Sequence, residues 1–353
     1  MIKVKIVGAC GYGGIGILEL LLRHPETNKN ICLVDIENIG QSISNIYPHL
    51  AGACELKIVD PSDPIAQQPF DIVFMATPDG VGMKLAPAEM EKGAKIIDFS
   101  GDFRFNTPDD YALYAGRIGR DPKHASPELL PLSVYGLAEL HREQLMQSPR
   151  IVGNPGCFAV SCILGLAPAV KHRIIYYDSI ICDCKTGVSG AGKKPNPVFH
   201  YPARYEQMNA YKLQGHQHVF EIERELSLLA NEQIRITFTS HVVPVCRGIM
   251  STLYGTLTKK ISEKEVLELY TNFYKNDKFI RVYPSNAPVG TVHVRTTNYC
   301  NLVVSIDERT HRLRIVSYID NLMKGQAGSA LQNMNLICGL PEGAGLEKFG
   351  VYP

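Results

Sequence analysis

Tryptophan is absent from the 353 residues, so the aromatic content rests on 17 Tyr and 12 Phe. A charge excess is missing too: 36 Lys and Arg against 35 Asp and Glu leave a formal net charge of +1. That balance removes any global electrostatic case for nucleic acid or an anionic membrane as partner. Small anionic ligands stay within reach, because they need only local positive charge. No C-x-x-C pair occurs, which argues against a zinc ribbon or a thioredoxin-type redox pair. No signal-peptide pattern precedes the first strand pattern, so a cytoplasmic rather than an oxidising setting is expected. The longest apolar stretch, residues 159–170, contains Gly165 and Pro168. It falls short of the ~20 residues a membrane span needs. Repeats, low-complexity tracts and charged tails are also lacking.

What is present is ordinary in bulk: 45% of residues are hydrophobic and 20% charged. At roughly 150 residues per domain, the length suggests about two domains. The unusual number is Cys 10. Most of these thiols sit among apolar neighbours, such as Ile181-Cys182 and Leu336-Ile337-Cys338, where Cys acts as a small hydrophobe. The question is whether one of them differs.

Residues 2–7 alternate like a strand and run into a glycine-rich turn and an apolar helix over Ile15 to Arg23. Strand patterns follow at residues 31–34, 70–76 and 94–98, with a helix over Met83 to Lys92 between the last two. Alternating strands and helices imply an α/β fold with a parallel sheet covered on both faces. After about residue 150 the texture changes. Strand-like stretches at 179–185, 233–243, 248–257, 301–306 and 312–319 predict a second α/β domain with a mixed, largely antiparallel sheet. Helices are predicted over Glu263 to Tyr274 and Ala327 to Cys338.

Gly8-x-x-Gly11-x-x-Gly14 follows a strand and opens a helix. A dinucleotide pyrophosphate needs that combination of tight turn, bare backbone and helix N-terminus. The spacing departs by one residue, at the first glycine, from G-x-G-x-x-G. Strand two ends at Asp35, with Glu37 close by. An acid there suits the ribose 2′-hydroxyl of NAD and repels the 2′-phosphate of NADP.

Asn154-Pro155-Gly156-Cys157-Phe158 stands where the second domain begins. A Pro-Gly turn would put Cys157 at the start of the apolar helix that follows. Helix N-terminal amides favour a thiolate and can hold an oxyanion. A buried helix cysteine is the plain alternative. His216-Gln217-His218, with Glu221 three residues on, is the second constellation. It suits a metal site, a helix cap, or a base serving a thiol; imidazole titrates near neutrality. The spacing does not say which His is nearer Cys157. Arg104 and Arg247 are candidates for anions, by paired guanidinium hydrogen bonds. Gly187 to Gly192 is a flexible loop that could approach a ligand backbone-first.

A dinucleotide loop, a thiol and a His together suit an acyl-dehydrogenating reductase. At this point a family resemblance enters. The chain resembles the N-acetyl-gamma-glutamyl-phosphate reductases, the arginine-biosynthesis relatives of the aspartate-semialdehyde dehydrogenases. Motifs in family order carry it: Gly8 to Gly14, Tyr47-Pro48-His49-Leu50, Ala76 to Val81, Asp98 to Arg104, Asn154 to Phe158 and Lys185 to Gly192. Gly215 to His218, Val243 to Ile249, Asn298-Tyr299-Cys300 and Ile319 to Gly325 complete it.

The resemblance implies a Rossmann domain of residues 1–152 with about 325–353, and a catalytic and oligomerisation domain of 153–324. It implies reduction of an N-acetylglutamyl acyl phosphate with NADPH through a Cys thioester, in a homodimer or homotetramer. Carried over, Cys157 and His216 are catalytic. Gly8, Gly11, Tyr12, Gly13, Gly14, Asp35, Ala76, Pro78, Ser189, Gly190 and Asn321 bind the cofactor. Asn154, Arg104, His218 and Arg247 bind the substrate, and no metal is needed. Departures are visible. Where the family has Ser or Thr with Arg after strand two, this chain has Asp35-Ile36-Glu37, which weakens NADPH preference or admits NADH. Phe158-Ala159-Val160, Asp79, Ser100-Gly101 and Gly13 also depart from the usual pattern. Neighbouring readings are a reductase of the related N-acetyl-aminoadipyl phosphate, a non-catalytic NAD(P)-binding sensor, and a metal hydrolase built on His216, His218 and Glu221.

Overall fold

The computed structural model describes residues 1–27 and 30–351. The chain divides into two units: Met1–Pro155 with Gln326–Glu347, and Gly156–Gly325 with Lys348–Pro353. The expectation kept the whole tail to 353 with the first unit. Residues 348–351 instead group with the second, where an Arg295 Nη2–H donates to Val351 O (3.1 Å). Tyr352 and Pro353 lie outside the described residues.

The first unit holds seven strands: β1 (Val4–Val7), β2 (Ile31–Val34), β3 (Ile58–Val59), β4 (Ile72–Met75), β5 (Lys95–Asp98), β6 (Ser133–Tyr135) and β7 (Ile151–Gly153). Every pairing is parallel, in the order β3-β2-β1-β4-β5-β7-β6. The central strands are buried along their length, as a parallel sheet covered on both faces requires. Helices α1 (Tyr12–Leu21), α2 (Ile43–Ile46), α3 (Gly82–Glu91), α4 (Pro108–Arg117) and α5 (Ala138–Met146) connect them. A C-terminal helix, Gly328–Ile337, is buried at every residue. Its amides are paired within this unit: Asn333 Nδ2 donates to Gly136 O (2.8 Å), and Asn335 Oδ1 lies 3.0 Å from His24 Nε2.

The second unit holds β8 (Ile181–Thr186), β9 (Asn209–Tyr211), β10 (Thr237–Val242), β11 (Ile249–Thr256), β12 (Ile280–Tyr283), β13 (Cys300–Asp307) and β14 (Arg312–Ile319). Their order is β12-β13-β14-β11-β8-β10-β9. Only β10·β8 and β12·β13 are parallel; the remaining pairs are antiparallel. Helices α6 (Cys157–Lys171), α7 (Tyr201–Arg204), α8 (Gln217–Ala230) and α9 (Glu263–Phe273) belong to this unit.

Helix α6 sits close on the sheet because the contact is made by small side chains. Ser161 Oγ lies 2.8 Å from Ser251 Oγ and 3.0 Å from Ser317 Oγ. Cys162 and Cys184 place their sulfurs 3.5 Å apart. A Cβ on Gly165 would meet Leu253 Cδ1 at 2.3 Å. The helix is buried from Phe158 to Val170. That fixes the position of its first residue, Cys157.

Candidate active site

In the first unit, the glycine loop is explained atom by atom. Gly8 has φ +81°, and a Cβ there would lie 2.4 Å from Ala76 O, at the end of β4. A Cβ on Gly14 would lie 2.3 Å from Gly8 O, so helix and strand could not approach. Gly11 is looser, with only Gly8 O at 3.6 Å, and Gly13 faces the movable side chains of Phe99 and Gln326. Gly11 is the N-cap of α1 and supplies no capping side chain. The first-turn amides of a 10-residue helix are left uncapped at the end of a central strand. That is the arrangement a pyrophosphate fits. Tyr12 and Ala76 are half-buried beside it, and Pro78 is exposed in the loop before α3.

Asp35 is tied into this loop. Its Oδ2 accepts from Cys10 N–H (2.9 Å), and Oδ1 from the amides of Ile36 (2.8 Å) and Glu37 (3.2 Å). Each oxygen retains acceptor capacity. A dinucleotide therefore fits the residues present, with an anionic group at the end of β2.

Two expected substrate residues have other partners. Arg104 is buried, and its guanidinium donates to Asn154 O and Phe99 O (both 2.8 Å). Asn154 is 1% exposed; its Nδ2 donates to Gln326 O (3.0 Å) and its Oδ1 accepts from Asn333 Nδ2 (3.2 Å). Both tether loops of the first unit through these bonds.

The same loops hold a group the sequence reading quoted but did not assign. Asp98 and Asp102 are fully buried. Asp102 accepts from the amides of Gly80 (2.8 Å) and Met83 (3.0 Å), and Ser100 Oγ donates to Asp98 Oδ2 (2.6 Å). Burial, reinforced by the Asp102 charge, pushes Asp98 up to about 8. Burial also raises Asp102, against the pull of its two amides.

In the second unit, Cys157 is the first residue of α6 and is half-buried. Gly156, its N-cap, offers no capping side chain. Glu221 Oε2 accepts from Gly156 N–H (2.9 Å). A Cβ on Gly156 would sit 2.3 Å from His218 Nε2 and 2.8 Å from Glu221 Oε1. A glycine is required here because an imidazole and a carboxylate of α8 press on the backbone next to Cys157. From the other side, a Cβ on Gly325 would lie 2.7 Å from Cys157 Cβ. The fully buried ring of Phe158 stands edge-on to His216, His218 and Phe238.

The two histidines separate here. His216 caps α8: its Nδ1 accepts from His218 N–H (3.2 Å). Burial, with the Lys212 charge nearby, lowers His216 to about 3. The cap occupies Nδ1, leaving Nε2 to accept a proton, and the lowered pKa makes that nitrogen a weaker base than an ordinary imidazole. His218 and Glu221, three residues apart on the buried face of α8, are the pair placed against Gly156. The expectation gave the catalytic role to His216, but it is the His218 imidazole that lies against Gly156. Helix α8 begins at Gln217, so His216 is its N-cap and His218 lies in its first turn. Among the described residues, no group of three or more His, Cys, Asp or Glu side chains is arranged to hold a metal ion.

Arg247 is half-buried and paired with Asp320, Nη2 lying 3.1 Å from Oδ1. Asn321 links two loops of this unit: Oδ1 accepts from Gly248 N–H (2.8 Å) and Nδ2 donates to Ser189 Oγ (3.0 Å). Gly190 next to it is exposed. All ten cysteines are free thiols, and Cys246 is exposed.

A family described as "Semialdehyde dehydrogenase, NAD binding domain" matches residues 3–148. One described as "Semialdehyde dehydrogenase, dimerisation domain" matches residues 157–321. The chain is 42% identical over 352 residues to an N-acetyl-gamma-glutamyl-phosphate reductase of Bacillus cytotoxicus, covering 99% of this chain and 100% of that one. It is 42% identical over 355 residues to the protein of that name from Geobacter sulfurreducens, covering 100% of both. Among solved structures, aspartate semialdehyde dehydrogenase II from Vibrio cholerae superposes with a TM-score of 0.72 at 17% identity, over 96% of this chain and 99% of that chain. Aspartate semialdehyde dehydrogenase with NADP from Candida albicans gives 0.67 at 12% identity, over 96% of this chain and 98% of that one. These two establish likeness of fold.

Proposed function

The chain belongs to the semialdehyde dehydrogenase family, and we propose that it reduces N-acetyl-L-glutamyl 5-phosphate to the 5-semialdehyde, releasing phosphate. Relatives bearing the reductase name along the whole chain support the substrate. The observation that carries the chemistry is the His218–Glu221 pair pressed against Gly156, next to Cys157.

The Cys157 sulfur attacks the acyl-phosphate carbonyl carbon after His218 takes its proton. Glu221 holds the segment by its bond to Gly156 N–H and lies beside the imidazole. The uncapped first turn of α6 points amides at the oxyanion that develops. The carbon–oxygen bond to phosphate breaks, and the His218 proton leaves with phosphate. Cys157 then carries a thioester. A nicotinamide dinucleotide, for which Gly8, Gly11 and Gly14 leave room at the N-terminus of α1, would supply hydride to that carbonyl carbon. The resulting alkoxide collapses, the carbon–sulfur bond breaks, and the aldehyde departs from the regenerated thiolate. One solvent proton is consumed per turnover. Arg247, held by Asp320, is the residue we assign to a substrate anion.

The cofactor is NAD(P)H, held by Gly8, Gly11 and Gly14 on the N-terminus of α1. The Asp35 carboxylate supports a weakened preference for NADPH, because it repels a 2′-phosphate. The match of residues 157–321 to a dimerisation domain supports a homo-oligomer. Ten unbridged cysteines support a reducing, cytoplasmic setting.

The test runs the reaction backwards. N-acetylglutamate semialdehyde, phosphate and either NADP or NAD are mixed with the protein, and reduced cofactor is followed by absorbance. Phosphate-dependent reduction is expected. Turnover without phosphate, or none at all, contradicts the reading.

A further inference from the structure

We infer that the second unit carries a separate binding site for a small N-acylamino carboxylate. A cavity of about 480 Å³ opens there, lined by Arg281, Tyr283, Pro288, Val292, His293 and Asn301, among others. That volume is in the range of small-ligand sites and leaves room for an acylated amino acid.

Three features define what it takes. Arg281 on β12 pairs in register with Asn301 on β13, so their side chains are neighbours on one sheet face. The Arg281 guanidinium stacks 3.5 Å from the Tyr299 ring centroid and forms no ion pair among the described residues. A guanidinium oriented by an aromatic ring and lacking a carboxylate partner is a ready fork for a carboxylate.

Asn301 supplies the second feature. It is 1% exposed, and its Oδ1 has no hydrogen-bond partner. No partner of its Nδ2 is found among the described residues either. Buried amides of this kind are normally satisfied. An acyl-amide group offers both the N–H and the C=O that Asn301 requires, whichever way its side-chain amide is turned. Inorganic phosphate or a simple carboxylate would answer Arg281 and leave Asn301 unmet.

Pro288 and Val292, with Ala287 and Val289, provide an apolar wall for a short side chain. His293 stands at the same wall, its Nδ1 2.9 Å from Gly290 N and 3.3 Å from Gly290 O. None of these residues belongs to the Cys157 constellation, so the site stands independently of the proposed reaction.

Titration calorimetry on the full-length protein tests this with three probes: N-acetyl-L-valine, L-valine and isovalerate. Saturable one-to-one binding of N-acetyl-L-valine is expected, with isovalerate about tenfold weaker or more, the equivalent of one lost buried hydrogen bond. Arg281→Ala should weaken N-acetyl-L-valine about tenfold or more, and Arg281→Lys less. Asn301→Asp should weaken it too, by charge repulsion. Arg247→Ala should leave it unchanged, which separates this cavity from the substrate anion site. Melting curves of each variant confirm that it is folded. Absence of saturable binding at millimolar probe, equal binding of isovalerate, or unchanged affinity in Arg281→Ala overturns the inference. So does an Arg281→Ala protein that changes only its oligomeric state, which would make this face a contact between copies.

Discussion

Helices α1 and α6 begin alike and serve different chemistry. Each has a glycine N-cap, Gly11 or Gly156, in extended conformation with no capping side chain. Each therefore presents bare amides and the positive end of a helix dipole. At α1 the surroundings are backbone: Gly8 and Gly14 are excluded from bearing a Cβ by carbonyl oxygens, and Gly11 itself has space. At α6 the surroundings are titratable side chains, His218 and Glu221, and the space at Gly156 is filled. On the proposed function, the same backbone device serves as an anion cradle in one unit and a thiol activator in the other. What differs is the groups that crowd the cap.

Removing the reacting atom is the hardest test of that contrast. Cys157→Ser should lower kcat/KM by about 10⁴-fold, while leaving dinucleotide affinity unchanged. His218→Asn should cost about 10²- to 10⁴-fold, as loss of a general base does. His216→Asn keeps a capping oxygen and should cost much less. If the two rank the other way, the assignment of His218 fails.

The glycine caps come next. Gly156→Ala forces a Cβ onto His218 and Glu221 and should lower kcat by about tenfold or more, since a displaced base loses its alignment. Gly11→Ala, with its nearest neighbour at 3.6 Å, should leave kcat intact and raise the dinucleotide KM only slightly. Equal effects at both caps would erase the distinction.

A smaller effect is expected at the end of β2. Asp35→Ser removes a negative charge and should raise kcat/KM for NADPH relative to NADH by about tenfold. It should also loosen the loop, because Cys10 N–H loses its acceptor. A large NADPH advantage in the unaltered protein would sink the proposed cofactor preference.

The smallest effect concerns pH. Asp98 holds its proton in the folded state up to about 8. The unfolded chain releases that proton near pH 4. Its contribution to stability is thus fully present below about pH 4 and is lost as pH rises through 8. Asp98→Asn mimics the protonated form and should raise the melting temperature at pH 8 more than at pH 5. His216 works in the opposite sense: neutral in the fold down to about 3, it loses stability as pH falls below the ordinary histidine value.

Much of this was legible in the sequence, for reasons that can be traced. The glycine loop could be read because each required glycine answers a local backbone demand within a strand-turn-helix. Cys157 could be placed at a helix start because Pro155-Gly156 breaks the chain just before it. The choice between His216 and His218 turned on where α8 begins, and an N-cap histidine looks like a helix-face histidine until that boundary is known. The tethering bonds of Arg104 and Asn154 were not legible because their partners are distant in the chain: Asn154 O is 50 residues from Arg104, and Gln326 O is 172 from Asn154. Short strands such as β7 and β6, three residues each, carry too little periodicity to be seen. Asp98 read as the polar end of a strand, since only the fold brings Asp102 and a desolvated environment to it.

The account's central claim is that the α6 terminus, served by His218, performs acyl transfer. Intact-mass analysis of the protein mixed with N-acetylglutamyl phosphate, without cofactor, tests it most directly. One acyl adduct per chain is predicted, mapped to Cys157 and absent from Cys157→Ser. It should form about 10²-fold more slowly in His218→Asn and at nearly the original rate in His216→Asn. An adduct on another residue, or slowing in His216→Asn alone, would contradict the account.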